Sequence, residues 1–310
     1  MLEAMRGDAL SVSFNASREY RVRIIERPGT TLGERELDQL QTQCREVVNA
    51  CLAGESLDYG LFAQGSTAWE RSVITLVTRR GDGRAVAFNA MPMLAVRQAG
   101  EPAQVLHLGL VMVDPAERSG GLSWILYGLT CFALFLRQRM RPLWVSSVTQ
   151  VPAVVGMVSE TFSSVYPAQA GTRQNFTHRH FAHQIMERHR DAFGVGEDAG
   201  FDIDRQVITD AYTGGSDNLK KSFDVATKHR RDVYNDYCRR ELDYTRGDDV
   251  LQIGAIDLAA GQRFLSRSVP RSALPQLAVQ AAIMMTGAVI APLLQWLDTT
   301  RPFGRLRASR

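Results

Sequence analysis

The chain has 310 residues, of which 45% are apolar and 22% are charged, and its formal net charge is +3 at pH 7. Such a composition is that of a globular protein with one large domain, or with one domain and an appendage. The mild basic excess, without zinc-finger spacing or a basic stripe interleaved with aromatic residues, argues against a nucleic-acid partner.

The first half of the chain predicts strands around one long helix. Residues 1–18 mix charges with small polar side chains and predict a loose arm. REYRVRIIERP alternates as a strand does and stops at Pro28, and an amphipathic helix is predicted over about residues 34–52. RSVITLVTRR and GRAVAFNAMPMLAV are joined by Gly-Asp-Gly, which is typical of a hairpin, and AQVLHLGLVMV predicts another strand.

The second half is richer in helices. The loop PAERSGG opens into an apolar helix, LSWILYGLTCFALFLRQRM, followed by the nearly all-apolar strand RPLWVSSVTQ and by a helix over PAVVGMVSETFSSVY. HRHFAHQIMERHRDAF predicts a further helix, and a charged helix is predicted between two strands, FDIDRQVITDAY and DDVLQIGAID. The sequence therefore predicts a main domain over residues 19–258, with a helical insert at about 214–242, and a C-terminal helical extension with a basic tail over 259–310.

The segment 272–297 contains no charged residue. Basic residues flank it on both sides, whereas a membrane-spanning helix usually has an asymmetric distribution of Lys and Arg. Three interpretations stay open: a helix buried against the protein or in a homo-oligomer, a peripheral contact with a membrane, or a true span. Because the N-terminus lacks the apolar run of a secretory signal and no CxxC pair occurs, we expect a cytoplasmic protein, at the inner face of the membrane if this segment binds lipid.

The segment ERSGGLSW lies between an apolar strand and an apolar helix. Gly120 and Gly121 permit a tight turn that points several N–H groups the same way, and the helix N-terminus adds a partial positive charge. Arg118 would add a charge-assisted bond to a phosphate. The sequence predicts an anion site here, with a plain strand-to-helix turn as the alternative; neither a Walker A loop nor a GxGxxG fingerprint is present.

Arg118, Gly121 and Ser123 resemble the R/Q-x-x-G-x-G/A motif of the GNAT acyltransferase superfamily, with Ser123 in place of the final small residue. The order of the predicted elements over about residues 20–166 is also similar to that family. The resemblance implies an α+β fold with a mixed, mostly antiparallel sheet flanked by helices. It also implies a cleft where the fourth and fifth strands splay apart around the pantetheine arm of an acyl-CoA or acyl-carrier-protein thioester, with no metal.

The resemblance also implies which residues bind the donor. Main-chain groups of the fourth strand would bind the pantetheine arm, and the loop that follows would hold the pyrophosphate. Many members carry an Asn just after the fifth strand, where this chain has Thr149 and Gln150. The donor-binding residues implied are Leu110, Met112, Val113, Arg118, Gly120, Gly121, Leu122, Ser123 and Gln150.

Two side chains are candidates for proton transfer. His107 lies where the resemblance places the base, and a histidine titrates near neutral pH; the alternative is a strand histidine bonded to a neighbouring carbonyl. Tyr166 is the candidate acid for the leaving thiolate, with a core or capping tyrosine as the alternative. His180, His183 and Glu187 would share a helix face, but a solvated helix has the same spacing, so we predict no metal site.

Taken together, these features predict transfer of an acyl group from an acyl-CoA or acyl-carrier-protein thioester to an amine by direct attack. The apolar tail and apolar helices favour a fatty acyl donor or a lipid-like amine acceptor over small acetyl transfer. The charged insert predicts either a solvated surface or a docking site for an acidic acyl carrier protein or for anionic headgroups. The alternative functions are a non-catalytic GNAT-like sensor or scaffold that binds an acyl thioester, and an unrelated lipid-binding protein.

Overall fold

The computed structural model describes residues 9–52, 57, 60–63, 65–138, 140–169, 171–214, 216–275 and 277–279. Within these residues the fold is α+β, with a large, mostly antiparallel sheet flanked by helices. Strands and helices are both present where the hydrophobic periodicity predicts them in the first half of the chain, and this part is consistent with the GNAT-like fold that the sequence resembles.

The strands are β1 (Ser11–Asn15), β2 (Tyr20–Glu26), β3 (Ser72–Arg79), β4 (Ala85–Gln98), β5 (Glu101–His107), β6 (Leu110–Val113), β7 (Leu143–Thr149), β8 (Ser163–Tyr166), β9 (Gly200–Asp202), β10 (Val207–Thr209) and β11 (Asp249–Ile256). Their order across the sheet is β1-β2-β3-β4-β5-β7-β11-β10-β9; β6 also pairs with β4, and β8 with β11. The pairing of β5 with β7 is parallel, and the other pairings are antiparallel.

The α-helices are α1 (Pro28–Thr31), α2 (Glu34–Leu52), α3 (Ala68–Arg71), α4 (Thr130–Arg137), α5 (Pro152–Thr161), α6 (Phe176–Arg188), α7 (Asp232–Glu241) and α8 (Leu258–Arg263). A π-helical segment, Trp124–Leu129, leads directly into α4, and a second one, Phe264–Ser268, follows α8.

Helices cover both faces of the sheet, which explains why the central strands are apolar on both sides. On one face, Val73 and Val77 of β3 belong to the core under α4 and α5. On the other face, Ile74 and Leu76 pack under α2, and Leu94 of β4 packs under α6 further along the same face. Alternate residues of a strand point to opposite faces, so strand parity assigns each site residue to one of these two layers.

The prediction of a loose N-terminal arm over residues 1–18 is wrong for residues 11–15. Ser11–Asn15 forms β1, which pairs with β2, and Leu10 and Val12 are buried in the core. The main-chain N–H of Leu10 also donates to the Glu26 carboxylate at 3.0 Å. The alternation of apolar and polar residues in LSVSF is the strand signal that the surrounding charges concealed. Residues 1–8 lie outside the described residues.

Three other predictions are corrected in the second half. The helix over 152–166 ends at Thr161, and FSSVY continues as β8. The FDIDRQVITDAY segment forms two short strands, β9 and β10, joined by a turn. The charged helix of the insert is only α7, and turns and a short 3-10 helix precede it.

The predicted apolar C-terminal helix lies mostly outside the described residues, which end at 279. Up to that point the extension consists of α8, the π-helical segment after it and a short helical turn. Among the described residues, no helix combines the length and the apolar character that crossing a membrane requires.

Candidate active site

Strands β5 and β7 run side by side only as far as His107, which pairs with Ser146. The last bond between them is donated by Leu108 N–H to the Ser146 carbonyl at 2.7 Å. Beyond this point β6 continues to pair with β4, as β5 does, but no longer pairs with β7, so it separates from the end of β7. A gap therefore opens between two strands that were parallel neighbours.

Gly109 lies in the irregular junction between β5 and β6, where the chain approaches β4 closely. A Cβ atom at this position would lie 2.4 Å from the Ala90 carbonyl oxygen of β4, which is closer than a side chain tolerates. Glycine at a strand irregularity often marks such a close approach of two backbones. The bend between β5 and β6 is thus encoded by one residue.

A cavity of about 630 Å³ occupies the gap. Its walls come from β6 and the residues before it, from the end of β7, from the end of α2 and from the chain between β8 and β11. The lining residues are Cys51, Leu52, His107, Leu108, Gly109, Leu110, Val111, Met112, Val113, Arg118, Val148, Thr149, Gln150, Val151, Ala192, Phe193, Tyr212, Ser216, Leu219, Lys221 and Asp249. The predicted cleft between the neighbouring strands is therefore present.

Along the edge of β6 that faces this cavity, the main-chain groups alternate in direction from one residue to the next. Asp114 N–H donates to the Val86 carbonyl at 2.9 Å, so residues at even positions of β6 bond to β4. The main-chain groups of Val111 and Val113 then point away from β4. The Val113 carbonyl accordingly accepts from the Cys51 thiol at 3.2 Å and lies 3.5 Å from Arg118 Nε. The pattern favours Val111 over the predicted Leu110 and Met112 as the main-chain partner beside Val113.

The loop after β6 is more regular than the sequence suggests. Residues Pro115–Gly120 form a 3-10 helix, capped at its start by the Asp114 carboxylate, which accepts from Ala116 N–H at 2.9 Å. Gly121 has φ of 63°, a left-handed conformation that glycine adopts without strain. The Leu122 carbonyl then accepts from Ile125 and Leu126 N–H, both at 3.0 Å, which marks the start of the long helix.

The side chains of this loop point in different directions. Arg118 is exposed and lines the cavity, as predicted for a group that contacts the donor. Leu122 is buried in the core, so only its main chain is free to contribute to an anion site. Glu117 is turned away toward β2 and β3, where it accepts from Tyr20 Oη at 2.6 Å and pairs with Arg79.

The helix that begins at this loop is irregular for a visible reason. The Asn89 amide donates to the Leu126 carbonyl, and Thr130 Oγ1 also bonds to that carbonyl at 3.0 Å. In an ordinary α-helix the Leu126 carbonyl would accept a hydrogen bond from a main-chain N–H of the same helix, whereas here these side chains bond to it. The segment Trp124–Leu129 is π-helical. π-Helical turns of this kind are frequent at functional sites.

His107 is enclosed at the point where the strands separate. Its side chain is 2% exposed, its Nδ1 shares a hydrogen bond with Ser146 Oγ at 3.0 Å, and its ring lies 5.0 Å from that of Phe193. Burial lowers the pKa of His107 to about 3. The imidazole is therefore neutral at pH 7 and a weak acceptor of protons, in contrast to the near-neutral titration expected from its residue type.

Gln150 lines the cavity, but its side chain has structural partners. With the amide oxygen facing the donors, Gln150 accepts from Lys221 N–H at 2.8 Å and its amide nitrogen donates to the Lys221 carbonyl at 3.0 Å; the amide oxygen also lies 2.7 Å from Tyr212 Oη. Gln150 thus ties the end of β7 to the segment between β8 and β11. This arrangement differs from the donor-binding role that the resemblance implies.

Tyr166 is not brought together with His107. It lies on β8, which pairs with β11, and it is not one of the residues that line the cavity. Its hydroxyl donates to the Asp204 carbonyl at 2.5 Å. The Tyr166 hydroxyl therefore binds the turn between β9 and β10 in this structure.

Sequence reasoning missed the residues that the segment 167–248 and the start of β11 bring to the cavity. Asp249 is the most distinctive, because burial raises the pKa of its carboxyl to about 7, while the hydrogen bond from Tyr212 Oη at 3.0 Å opposes the rise and nearby Asp248 adds to it. A pair of aspartates at the start of a mostly apolar strand was the available signal. Phe193 and Tyr212 had no signal, since their positions depend on the packing of the insert.

Within the described residues, no group of three or more His, Cys, Asp and Glu side chains could hold a metal ion. On α6, His180 bonds to the Arg97 carbonyl at 2.9 Å and His183 lies 4.0 Å from Glu187. These histidines belong to the outer surface of a helix.

No family model matches the chain, and no curated protein matches its sequence. Among solved structures, the chain is similar to AtaT complexed with acetyl-methionyl-tRNAfMet, at 12% sequence identity over 44% of this chain and 77% of that chain, with a TM-score of 0.22. A similarity of this size carries no inference about activity.

Proposed function

We propose that the protein transfers an acyl group from an acyl-CoA or acyl-carrier-protein thioester to an amine. The observation that supports this most directly is the gap between β6 and β7, which exposes the main-chain edge of β6 along a cavity of about 630 Å³. An extended pantetheine arm has amide groups that can bond to such an edge, in the way that a peptide adds to a sheet.

The donor would lie with its arm along β6 and its diphosphate near Arg118. Val111 and Val113 would offer main-chain groups to the arm, and the amides of residues 120–123, at the start of a long helix, would face the diphosphate. Arg118 is exposed at this end of the cavity and makes no ion pair within the described residues, so its guanidinium is free to pair with a phosphate.

The acyl carbon would lie close to the point where the strands separate, beside His107. A neutral amine attacks the thioester carbonyl, the C–N bond forms, the C–S bond breaks, and the thiol and the amide are released. His107 would accept a hydrogen bond from the attacking amine, with its ring held by Ser146 and Phe193. The low pKa of His107 favours this orienting role over that of a strong base.

Acyl chain length and carrier are further parts of the proposal. The apolar lining contributed by Val148, Phe193 and Leu219 suits a fatty acyl chain or a lipid-like acceptor. The basic segment around Lys220 and Lys221 lies beside the cavity and suits an acidic acyl carrier protein. The proposal includes both donors, acyl-CoA and acyl carrier protein. It also includes contact of the C-terminal extension with a membrane or with a second copy of the chain, and each of these parts is tested separately.

Thiol release tests the function. The protein is incubated with acyl-CoAs of two to sixteen carbons or with acyl carrier protein, each with and without a panel of amines, and free thiol is measured. We expect amine-dependent release, and an Arg118→Gln variant with a KM for acyl-CoA raised about tenfold, as expected from loss of one charge-assisted bond. Arg188→Gln, at an exposed position on α6, is the matched control.

A second candidate function is a sensor or scaffold that binds an acyl thioester without chemistry. The structure favours it at two positions, because Gln150 and Tyr166 have structural partners in place of the roles implied by the resemblance. Saturable binding of acyl-CoA, without thiol release for any amine, would support this function over catalysis. Absence of both binding and release would contradict both functions.

A further inference from the structure

A buried carboxylate lies in the cavity and takes no part in the reaction proposed above. Asp249, at the start of β11, has only 6% of its surface exposed and lines the cavity with Tyr212 and Leu219. Tyr212 Oη donates to its Oδ1 atom at 3.0 Å. The carboxylate is thus held in one orientation and open to a ligand.

Asp249 has no cationic partner in the part of the chain that the structure describes, whereas its neighbour does. Asp248 accepts two bonds from the Arg246 guanidinium, at 2.7 and 2.8 Å. Arg118 and Lys221 line the same cavity, yet neither forms an ion pair with Asp249. An ionised carboxylate withdrawn from water is stabilised when a cation enters beside it.

Asp249 and His107 lie on the same face of the sheet but at different positions along the strand direction. Leu251 of β11 and Val105 of β5 both pack under α6, so residues two positions away share that face. His107 pairs with Ser146 of β7, whereas the pairing of Val250 with Thr149 places Asp249 opposite Gln150. Four residues along β7 correspond to about 13 Å along the strands, and β5 and β11, on opposite sides of β7, are about 10 Å apart across the sheet.

We propose that Asp249, oriented by Tyr212, binds a cationic group at the far end of an extended amine acceptor whose other end carries the attacking nitrogen. The position of the attacking nitrogen rests on the proposed function, while the cation site itself does not. The two nitrogens would be separated by on the order of 10 Å, from the strand spacing above. Long α,ω-diamines and polyamines have this chemistry, and Val148, Phe193 and Leu219 would contact the methylene chain.

Calorimetry without any thioester tests the cation site alone. The full chain is titrated with 1,8-diaminooctane and with octylamine at pH 8. We expect both to bind, because each offers one ammonium group to Asp249, and we expect Asp249→Asn to raise the Kd at least tenfold. Asp224→Asn, which removes an exposed carboxylate of the insert outside the cavity, should leave the Kd unchanged.

Turnover then tests the orientation of the acceptor. With an acyl donor, 1,8-diaminooctane should have a kcat/KM at least tenfold above that of octylamine, and octylamine should inhibit competitively because its ammonium group occupies Asp249. Asp249→Glu keeps the charge but extends the side chain by one methylene, so the preferred diamine should become shorter by about one carbon. The Asp249→Glu variant also tests the cation site if the Asp249→Asn variant does not fold.

The outcomes separate the two proposals. Ammonium binding that Asp249→Asn and Asp249→Glu both leave unchanged would overturn the cation site, whether or not thiol is released. Equal kcat/KM for the diamine and octylamine in the wild type would overturn the two-ended acceptor. Binding that depends on Asp249, together with no thiol release from any donor, supports the cation site and removes the acyl-transfer proposal.

Discussion

At the scale of single residues, the cavity contains two buried ionisable groups on which burial acts in opposite directions. Removal from water disfavours a charge of either sign, so it lowers the pKa of His107 to about 3 and raises that of Asp249 to about 7. Both groups are therefore shifted toward their neutral forms.

An orienting role of His107 can be distinguished from that of a general base by the size of the loss in kcat/KM when His107 is replaced, and by the pH dependence of kcat/KM. A hydrogen bond to a neutral group contributes about 1 kcal/mol, so His107→Ala should lower kcat/KM by about five- to tenfold. The imidazole is already neutral at every pH above about 4, given its pKa of about 3, so the pH profiles of variant and wild type should have the same shape between pH 5 and 8. A loss of about 10²-fold or more would indicate general base catalysis instead.

We expect the ionised carboxylate of Asp249 to lower the free energy of unfolding at alkaline pH. The pKa of Asp is about 3.9 in an unfolded chain. In the folded chain, burial chiefly raises the pKa of Asp249 to about 7; Tyr212 lowers it and Asp248 raises it further. The folded state therefore binds more protons between these values, and its stability declines as the pH rises from about 4 to about 7. Asp249→Asn should raise the free energy of unfolding at pH 8 by on the order of 2 kcal/mol.

Urea unfolding at pH 8 and pH 5 measures this effect: the gain should be clearly smaller at pH 5, where only the unfolded chain has Asp249 ionised, and should vanish only below about pH 4, where Asp249 is protonated in both states. A destabilised Asp249→Asn variant at pH 8 would mean that the ionised carboxylate is compensated by its surroundings.

At the scale of elements, the break between β5 and β6 is what creates the cavity. Gly109→Ala would place a Cβ atom 2.4 Å from the rigid Ala90 carbonyl, so we expect a loss of about 1–3 kcal/mol in the free energy of unfolding and weaker binding of CoA. Gly81→Ala is the matched control, since no atom lies within 4 Å of its Cβ position. Denaturant unfolding and CoA titration of both variants provide the comparison, and equal stability of the two would contradict the proposed role of Gly109.

The elements that sequence patterns predicted well are those whose burial is local and continuous. β3, β4 and β7 are buried on both faces and consist of apolar runs, and α2 has one apolar stripe. The pattern failed for β8, because FSSVY follows α5 without a Gly or Pro between them and its strand form depends on pairing with β11. Local periodicity does not record a partner that is about ninety residues away in the chain.

At the scale of the whole molecule, residues 167–248 are a large insertion between β8 and β11 that extends the sheet with β9 and β10 and packs α6 and α7 on its opposite faces. This insertion supplies Ala192, Phe193, Tyr212 and Lys221 to the cavity, and the side chain of Gln150 fastens it to β7. The donor side, with Arg118 and the glycine loop, is contiguous in sequence and could be predicted from a motif. The opposite side is assembled from distant segments, so no local pattern could predict Asp249 and its surroundings.

Because both sides of the cavity belong to one sheet, a bound donor should stabilise the protein as a whole. A ligand at 100 times its Kd adds about 2.7 kcal/mol to the free energy of unfolding, which corresponds to a rise of about 5 °C in Tm for a chain of this size. Coenzyme A should produce this rise, and pantetheine, which lacks the diphosphate, should produce a smaller one. Raising the salt concentration, or introducing Arg118→Gln, should reduce the effect of coenzyme A but not that of pantetheine, because only the former depends on pairing with a phosphate. Equal shifts for the two ligands in the wild type would contradict a diphosphate site at residues 118–123.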